Sequence, residues 1–174
     1  MFRHFLSCVL AVSIVLAVAA AVSADTETVT VVRLTDQVDI AAPPAKVWAT
    51  MTSGTDLSWC LYWQGDANKK VKLTKVGDVL EFQDDWGNKG HSIVTYLAPN
   101  KELRIANEPA DGSYMCQSRL MLEESDGGTT VTYIEQYTDE SSDEDMDATA
   151  ASMEESIAAT LQKLKKKAEK KGGK

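Results

Sequence analysis

The stretch that decides the fold is VDIAAPPAKVW, residues 38–48. In the strand that it ends, Val32, Leu34, Val38 and Ile40 share one parity, and Arg33, Thr35, Gln37 and Asp39 share the other. This period of two is typical of a half-buried strand. Ala42-Pro43-Pro44 ends the alternation, and proline is favoured in the first turn of a helix. Because Val47, Trp48 and Met51 then recur at helical spacing, the stretch predicts a strand followed by a short helix that stops near Gly54.

The rest of the chain predicts one more short helix, six more strands and one long helix. The second short helix is predicted from Asp56 to Trp63. Turn sequences at Gly87–Gly90 and Asp126–Gly128 separate alternating segments. The six strands are predicted near residues 71–73, 80–86, 91–97, 103–105, 114–122 and 129–138.

The last segment has the period of an amphipathic helix. Its apolar residues are spaced by three or four positions: Met146, Ala150, Met153, Ile157, Leu161, Leu164 and Ala168. Ser141–Glu144 resembles a capping box at its start. Acidic residues crowd the beginning and lysines crowd the end, which is the order that the helix dipole favours. We therefore interpret the lysine-rich end as a solvated helix terminus rather than as a membrane or partner patch.

The first 24 residues have the features of a signal peptide. Arg3 and the amino terminus supply positive charge, an apolar run extends from Phe5 to Val22, and Val22-Ser23-Ala24 is a small-residue cleavage site. A membrane anchor is the alternative, since about 18 apolar residues is near the lower limit for spanning a bilayer. We predict that residues 1–24 are removed and that 25–174 form the mature domain, periplasmic or secreted, without stable membrane insertion.

The composition excludes several classes of function. The net charge is −8, so general binding to nucleic acid is disfavoured. The chain has no glycine-rich phosphate loop and no C-x-x-C, and its mature part has one histidine, so we predict no cofactor and no metal site. Cys60 and Cys116 would share an oxidising compartment. A disulfide and two small buried thiols both remain open, the second being the simpler expectation.

The opening stretch and the order of elements resemble the START-like (SRPBCC, Bet v 1-like) superfamily. The likeness covers roughly residues 30–170 and is closest to the polyketide cyclase/dehydrase-like and Hsp90-ATPase-activator-like branches. No single motif is specific, but the ordered set is. Its members are the Ala-Pro and Val-Trp of residues 38–48, Trp59, Gly77, Pro99 with Leu103, Gly128–Thr132, and Leu161 with Leu164.

The resemblance implies an α+β helix-grip fold. In it a seven-stranded antiparallel sheet wraps around the long C-terminal helix, two short helices follow strand 1, and a cavity lies between sheet and helix. Members mostly bind lipids, sterols or polyketides, and some catalyse reactions on them. On this basis the predicted ligand-binding residues are Trp59, Trp63, Phe82, Trp86, Leu103, Ile105, Tyr133, Glu135, Tyr137, Met153, Ile157 and Leu161.

Glu135 is the one candidate for chemistry on the predicted cavity face. It shares parity with Val131, Tyr133 and Tyr137. A buried carboxylate would have a raised pKa and act as an acid or base near neutrality. Charged residues are rarely fully buried, so we expect a strand bulge or a wet position at the cavity mouth instead. We assign no catalytic residue.

Two other polar residues, Asp84 and His91, are candidates for a catalytic role. Asp84 lies near a hairpin, so we expect it to be exposed. His91 would have to serve any Cys–His or Ser–His pair, and no neighbouring sequence supports one.

The sequence therefore predicts an exported domain that binds a small hydrophobic ligand, lipid or polyketide-like. One alternative is a cyclase, dehydratase or hydrolase that uses Glu135 and tyrosines. A second is a protein-interaction module by analogy with the Hsp90-activator branch, which export disfavours. An enzyme should show buried titratable groups clustered in the cavity, whereas a carrier should show an almost wholly apolar lining. The ligand and the oligomeric state do not follow from the sequence.

Overall fold

The computed structural model describes residues 30–53, 57, 60, 63, 68, 71–83, 87–110, 112, 114–139 and 143–170. These residues form an α+β fold in which one antiparallel sheet packs against a long C-terminal helix. The elements are β1 (Thr30–Ile40), α1 (Pro44–Thr52), β2 (Val79–Gln83), β3 (Lys89–Ala98), β4 (Glu102–Pro109), β5 (Cys116–Ser125), β6 (Gly128–Asp139) and α2 (Asp143–Glu169). The predicted signal peptide, residues 1–24, lies outside the described residues.

The sheet has the strand order β1-β6-β5-β4-β3-β2. From β2 to β6 each strand pairs with the next one along the chain, as hairpins and short loops dictate. The exception is β1, which pairs with β6 over its whole length, from Thr30 opposite Asp139 to Ile40 opposite Thr129. The first and last strands are thus neighbours.

The described residues form six strands, so the prediction of seven is wrong. Residues 71–74 have no regular secondary structure although Leu73 is buried. The Leu73 backbone N–H donates to the carbonyl of Thr52 at the end of α1, and the Val71 N–H donates to that of Asn68. The alternation of Val71 and Leu73 therefore arises because a loop is partly buried, and not because the segment pairs with a strand.

The second predicted short helix, Asp56 to Trp63, lies largely outside the described residues. Leu57, Cys60 and Trp63 are described, and all three are buried. Trp63 makes an isolated antiparallel bridge to Phe82 on β2. Trp63 therefore lies beside β2 and reaches Ser92 on the inner face of the sheet.

Helix α2 lies across the other side of the inner face, where it packs mainly on β1 and also on α1 and β6. Of the apolar stripe that the sequence predicts, Ile157, Leu161, Leu164 and Ala168 are buried, whereas Ala150 and Met153 are half-buried. Backbone and side-chain hydrogen bonds fix its end: Glu169 Oε1 accepts from the Ala41 N–H at 2.9 Å, and Lys165 Nζ donates to the Asp39 carbonyl at 2.7 Å. Within the part of the chain that is described, no helix is long and apolar enough to span a membrane.

Candidate functional site

The concave face of the sheet has an apolar end and a polar end. At the apolar end Val38 of β1 lies opposite Val131 of β6, which lies opposite Leu122 of β5. Further along the same strands, several of the residues that face inward are polar. Glu135 of β6 lies opposite Ser118 of β5, while Asn107 of β4 joins Cys116 of β5 to Ser92 of β3. We call Ser92, Asn107, Cys116, Ser118, Tyr133 and Glu135 the polar row.

Hydrogen bonds join the residues of the polar row. Trp63, at one end of the row, determines which group donates and which accepts in each bond. The Trp63 indole N–H, which can only donate, lies 3.1 Å from Ser92 Oγ. The Ser92 hydroxyl therefore donates to Asn107 Oδ1 at 2.6 Å. This orients the Asn107 amide so that its Nδ2 faces Ser118 Oγ at 3.2 Å and Cys116 Sγ at 3.7 Å.

Glu135 is the far end of this chain. The Cys116 thiol donates to Glu135 Oε1, and the Tyr133 hydroxyl donates to Ser118 Oγ at 3.2 Å. Glu135 Oε2 is fully buried and has no hydrogen-bond partner among the described residues. The hydrogen-bonded row thus ends at Glu135 Oε1, and Glu135 Oε2 takes no part in it.

The expectation that Glu135 lies at a bulge or a wet cavity mouth is wrong. Its residue is 2% exposed, and its strand is in regular register with Leu34 on one side and Ser118 on the other. The Cys116 thiol donates to one oxygen of the carboxyl group, and the Ser118 and Tyr133 hydroxyls lie close enough to act on its pKa. Glu135 is the only charged side chain that is buried among the described residues.

The pKa values in the polar row follow from this burial. Burial raises the pKa of Glu135, and the hydrogen bonds from Cys116, Ser118 and Tyr133 act in the opposite direction. Burial, and after it the Glu135 charge, raises the pKa of the Cys116 thiol and that of the Tyr133 phenol well above their ordinary values. Cys116 and Tyr133 therefore stay protonated and act as donors rather than as nucleophiles.

The structure brings most of the predicted ligand-binding residues to the interior. Met153 is half-buried on α2. Trp59 and Trp86 lie outside the described residues, as does Asp84. The others are buried: Trp63, Phe82, Leu103, Ile105, Tyr133, Glu135, Tyr137, Ile157 and Leu161. Their contact with a ligand remains a prediction.

The other residues considered for chemistry are His91 and the two cysteines. His91 is exposed and 3.5 Å from the Glu81 carboxylate on the outer face. Cys60 and Cys116 are buried thiols, with no disulfide between them. Among the described residues, no group of His, Cys, Asp and Glu side chains could hold a metal ion.

A surface depression of about 480 Å³ lies at the apolar end, beside the β5–β6 turn and the end of α2. Its polar groups already have partners in the fold. Lys165 donates to the Asp39 carbonyl, and Thr130 donates to the Asp39 carboxylate at 2.6 Å. These contacts anchor α2, so we do not consider the depression a ligand site.

Sequence reasoning missed Ser92, Asn107 and Trp63 Nε1 as parts of one network. The available signal was parity, because Ser118 and Cys116 share a face with Leu120 and Leu122. The alignment of Asn107 and Ser92 with them depends on cross-strand register.

The fold and the buried polar row define the class: this is a START-like domain of the helix-grip type. A family model for polyketide cyclase/dehydrase and lipid transport proteins matches residues 31–169. The chain belongs to that family and is a ligand-binding domain of it. No curated protein sequence gives a significant match.

Solved structures share the fold at low sequence identity. Protein MLL2253 from Mesorhizobium loti has a TM-score of 0.60 at 18% identity, over 78% of this chain and 95% of that one. The Aha1 dimer from Colwellia psychrerythraea has a TM-score of 0.59 at 21% identity, over 82% and 99%. DynU16, a protein in the dynemicin biosynthetic locus, has a TM-score of 0.56 at 15% identity, over 76% and 46%.

Proposed function

We propose that this domain binds a small, largely apolar molecule between the concave face of the sheet and the N-terminal half of α2. The observation that carries the proposal is Glu135 Oε2, a buried carboxyl oxygen without a hydrogen-bond partner among the described residues. A protein that only needed a core would fill this position with an apolar residue, since an unsatisfied buried polar atom costs about 1–3 kcal/mol. A ligand that bonds to this oxygen removes the cost.

The surroundings of the polar row fit a mostly apolar ligand. Phe82, Leu103, Ile105 and Leu120 lie on the same inner face and are buried. Small-molecule sites commonly combine such apolar walls with a few placed polar groups. The family description, which includes lipid transport, supports the same class of ligand.

Mass spectrometry of the purified mature protein tests the proposal. We expect organic extraction to release a small molecule, and native spectra to show it bound to the folded chain. Ile105→Trp, which adds bulk beside Ser118, should lose the molecule, whereas Val79→Trp on the exposed outer face should keep it. Circular dichroism must show both variants folded. A wild-type protein that carries nothing and binds no apolar probe would refute the proposal.

A second candidate function is acid–base catalysis on the bound molecule. It is favoured by the raised pKa of Glu135, which brings a carboxyl group toward the range useful for proton transfer. The cluster of buried titratable groups, Cys116, Tyr133, Glu135 and Tyr137, also departs from a wholly apolar lining. If Glu135 transfers a proton, Glu135→Gln should keep ligand binding while turnover falls ~10²–10⁴-fold.

We also propose that the domain acts after export. The support is the sequence of residues 1–24, with its apolar run and its Val22-Ser23-Ala24 site. N-terminal sequencing of the protein from its native host should find Asp25 first. An intact Met1 would instead support a membrane anchor.

A further inference from the structure

The arrangement of hydrogen-bond donors and acceptors in the polar row restricts the chemical class of the ligand. Three facts describe this arrangement: the chain of donors begins at a group that can only donate, it ends at Glu135 Oε1, and Oε2 has no described partner. The inference rests on the proposed function, because it concerns the ligand of that same site.

The direction of the chain decides which Glu135 oxygen carries a proton. Oε1 accepts the Cys116 S–H, so a proton on the carboxyl group belongs on Oε2. An ionised carboxylate would instead leave a buried charge with no cation beside it. The described residues provide no Lys, Arg or His side chain among the buried ones. A buried charge without a partner is far costlier than a buried neutral acid.

We propose that Glu135 is a neutral carboxylic acid whose Oε2–H donates to a ketone or ester carbonyl of an uncharged ligand. A carbonyl oxygen is a hydrogen-bond acceptor only, so it is a suitable partner for a protonated Glu135 Oε2, which can donate. A free carboxylate on the ligand would bring a negative charge into a place without a positive one. The site should therefore prefer neutral carbonyl compounds over fatty-acid-like anions of the same size.

The groups that face Glu135 do not compete for its proton. Cys116 on β5 and Tyr133 on the same strand are held protonated, and Cys60, from the segment after α1, lies close enough to act on both. The buried residues of α2 on this side are apolar apart from Thr160. Glu135 is thus the group whose titration controls the donor at Oε2.

Three probes with one ring system test the inference by fluorescence titration. They are Prodan, a neutral naphthalene ketone, the corresponding dimethylamino-naphthoate, and dimethylaminonaphthalene without an acyl group. In the wild type we expect Prodan to bind about tenfold more tightly than either of the others, the effect of one good hydrogen bond. Its affinity should fall as the pH rises through the pKa of Glu135, because the donor is lost.

Two substitutions separate the donor from the shape of the side chain. Glu135→Gln keeps a neutral donor, so Prodan binding should stay within about threefold of wild type and lose its pH dependence. Glu135→Met removes the donor, so Prodan and the acyl-free ring should bind equally. Glu123→Gln, an exposed position on β5, is the matched control and should behave as wild type.

The outcomes distinguish the inference from the function on which it rests. If the naphthoate binds more tightly than Prodan, or if Prodan and the acyl-free ring bind equally to wild type, the neutral-donor inference is wrong while ligand binding stands. If none of the three probes binds, the proposed function fails as well. The wild-type pH titration keeps the test valid even if Glu135→Met does not fold.

Discussion

The two ends of the concave face are built from the same strands but solve different problems. At the apolar end Ile40, Val131 and Leu164 are almost fully buried. At the polar end the same strands turn Ser92, Asn107 and Glu135 inward. At the polar end, hydrogen-bonding side chains occupy inward positions that apolar side chains could otherwise fill. We therefore expect stability to be concentrated at the apolar end and the proposed ligand recognition at the polar end.

The path of α2 explains why the two ends differ. It begins at Asp143, soon after β6 leaves the sheet at the polar end, and it ends where Glu169 contacts Ala41 at the apolar end. Its fully buried residues are in the second half of the helix, whereas Met153 in the first half is only partly covered. The second half of the helix thus covers the apolar end, whereas Trp63 contacts the polar end through its bond to Ser92.

The largest expected effect is at the apolar end. Leu161→Ala should lower the free energy of unfolding by about 2–5 kcal/mol, because it removes buried methylenes and leaves a cavity. Urea unfolding measures this, and Gln162→Ala on the exposed side of the same helix is the control. Ile157→Ala sharpens the comparison: a loss under ~1 kcal/mol there would show that Ile157 borders ligand space rather than packed core. A small loss at Leu161 as well would contradict the division into two ends.

The next effect is at the polar end. Asn107→Leu removes the acceptor of the Ser92 hydroxyl and the donor to Ser118, which should cost about 1–3 kcal/mol. Gln117→Leu, an exposed amide on β5, is the matched control and should stay within ~0.5 kcal/mol. Adding Ser92→Ala to Asn107→Leu should cost less than the sum of the single changes, because the stranded hydroxyl is then gone. Additive losses would mean that the two residues do not share a bond.

Glu135 gives the polar end a dependence on pH. Its folded-state pKa is raised above the ordinary value of 4.5, so its contribution to stability is fully present below that pH and is lost as the pH rises through the folded-state pKa. Between the two pKa values the wild type should lose about 1.4 kcal/mol per pH unit relative to Glu135→Gln. The pKa values of Asp78 and Glu102 are lowered, so these residues also make stability depend on pH. Their contribution is the same in the wild type and in Glu135→Gln, and it cancels when the two free energies of unfolding are subtracted. A wild type that gains on the variant as the pH rises would show an ionised Glu135.

The smallest effect is expected outside both ends. His91→Gln on the outer face breaks only an exposed contact with Glu81, so the stability should change by less than ~0.5 kcal/mol. Binding of the neutral ketone probe should not change either. A loss of binding would mean that the outer face takes part in recognition and that the ligand site has been placed on the wrong side of the sheet.

Much of the fold could be predicted because it depends on local pattern. Parity assigned Leu34 and Val38 to the inner face, proline marked the start of α1, and spacing by three and four identified the buried stripe of α2. The same pattern failed at Val71 and Leu73, where alternation without a partner strand resembled a strand. It also placed Glu135 on the correct face but could not say that the residue is fully buried, since burial depends on what covers the strand.

Sequence by itself thus determined the first strand and helix, the inward face of β1 and β6, and the buried half of the α2 stripe, because these follow from periods of 2 and 3.6 residues. Only the tertiary structure decided that β1 lies beside β6 and that hydrogen bonds connect Ser92 to Glu135 through Asn107 and Cys116. Those contacts join residues from four strands, and they depend on the register between strands. A shift of one residue in any pairing would turn a whole strand over and break the polar row, and no local pattern encodes that alignment.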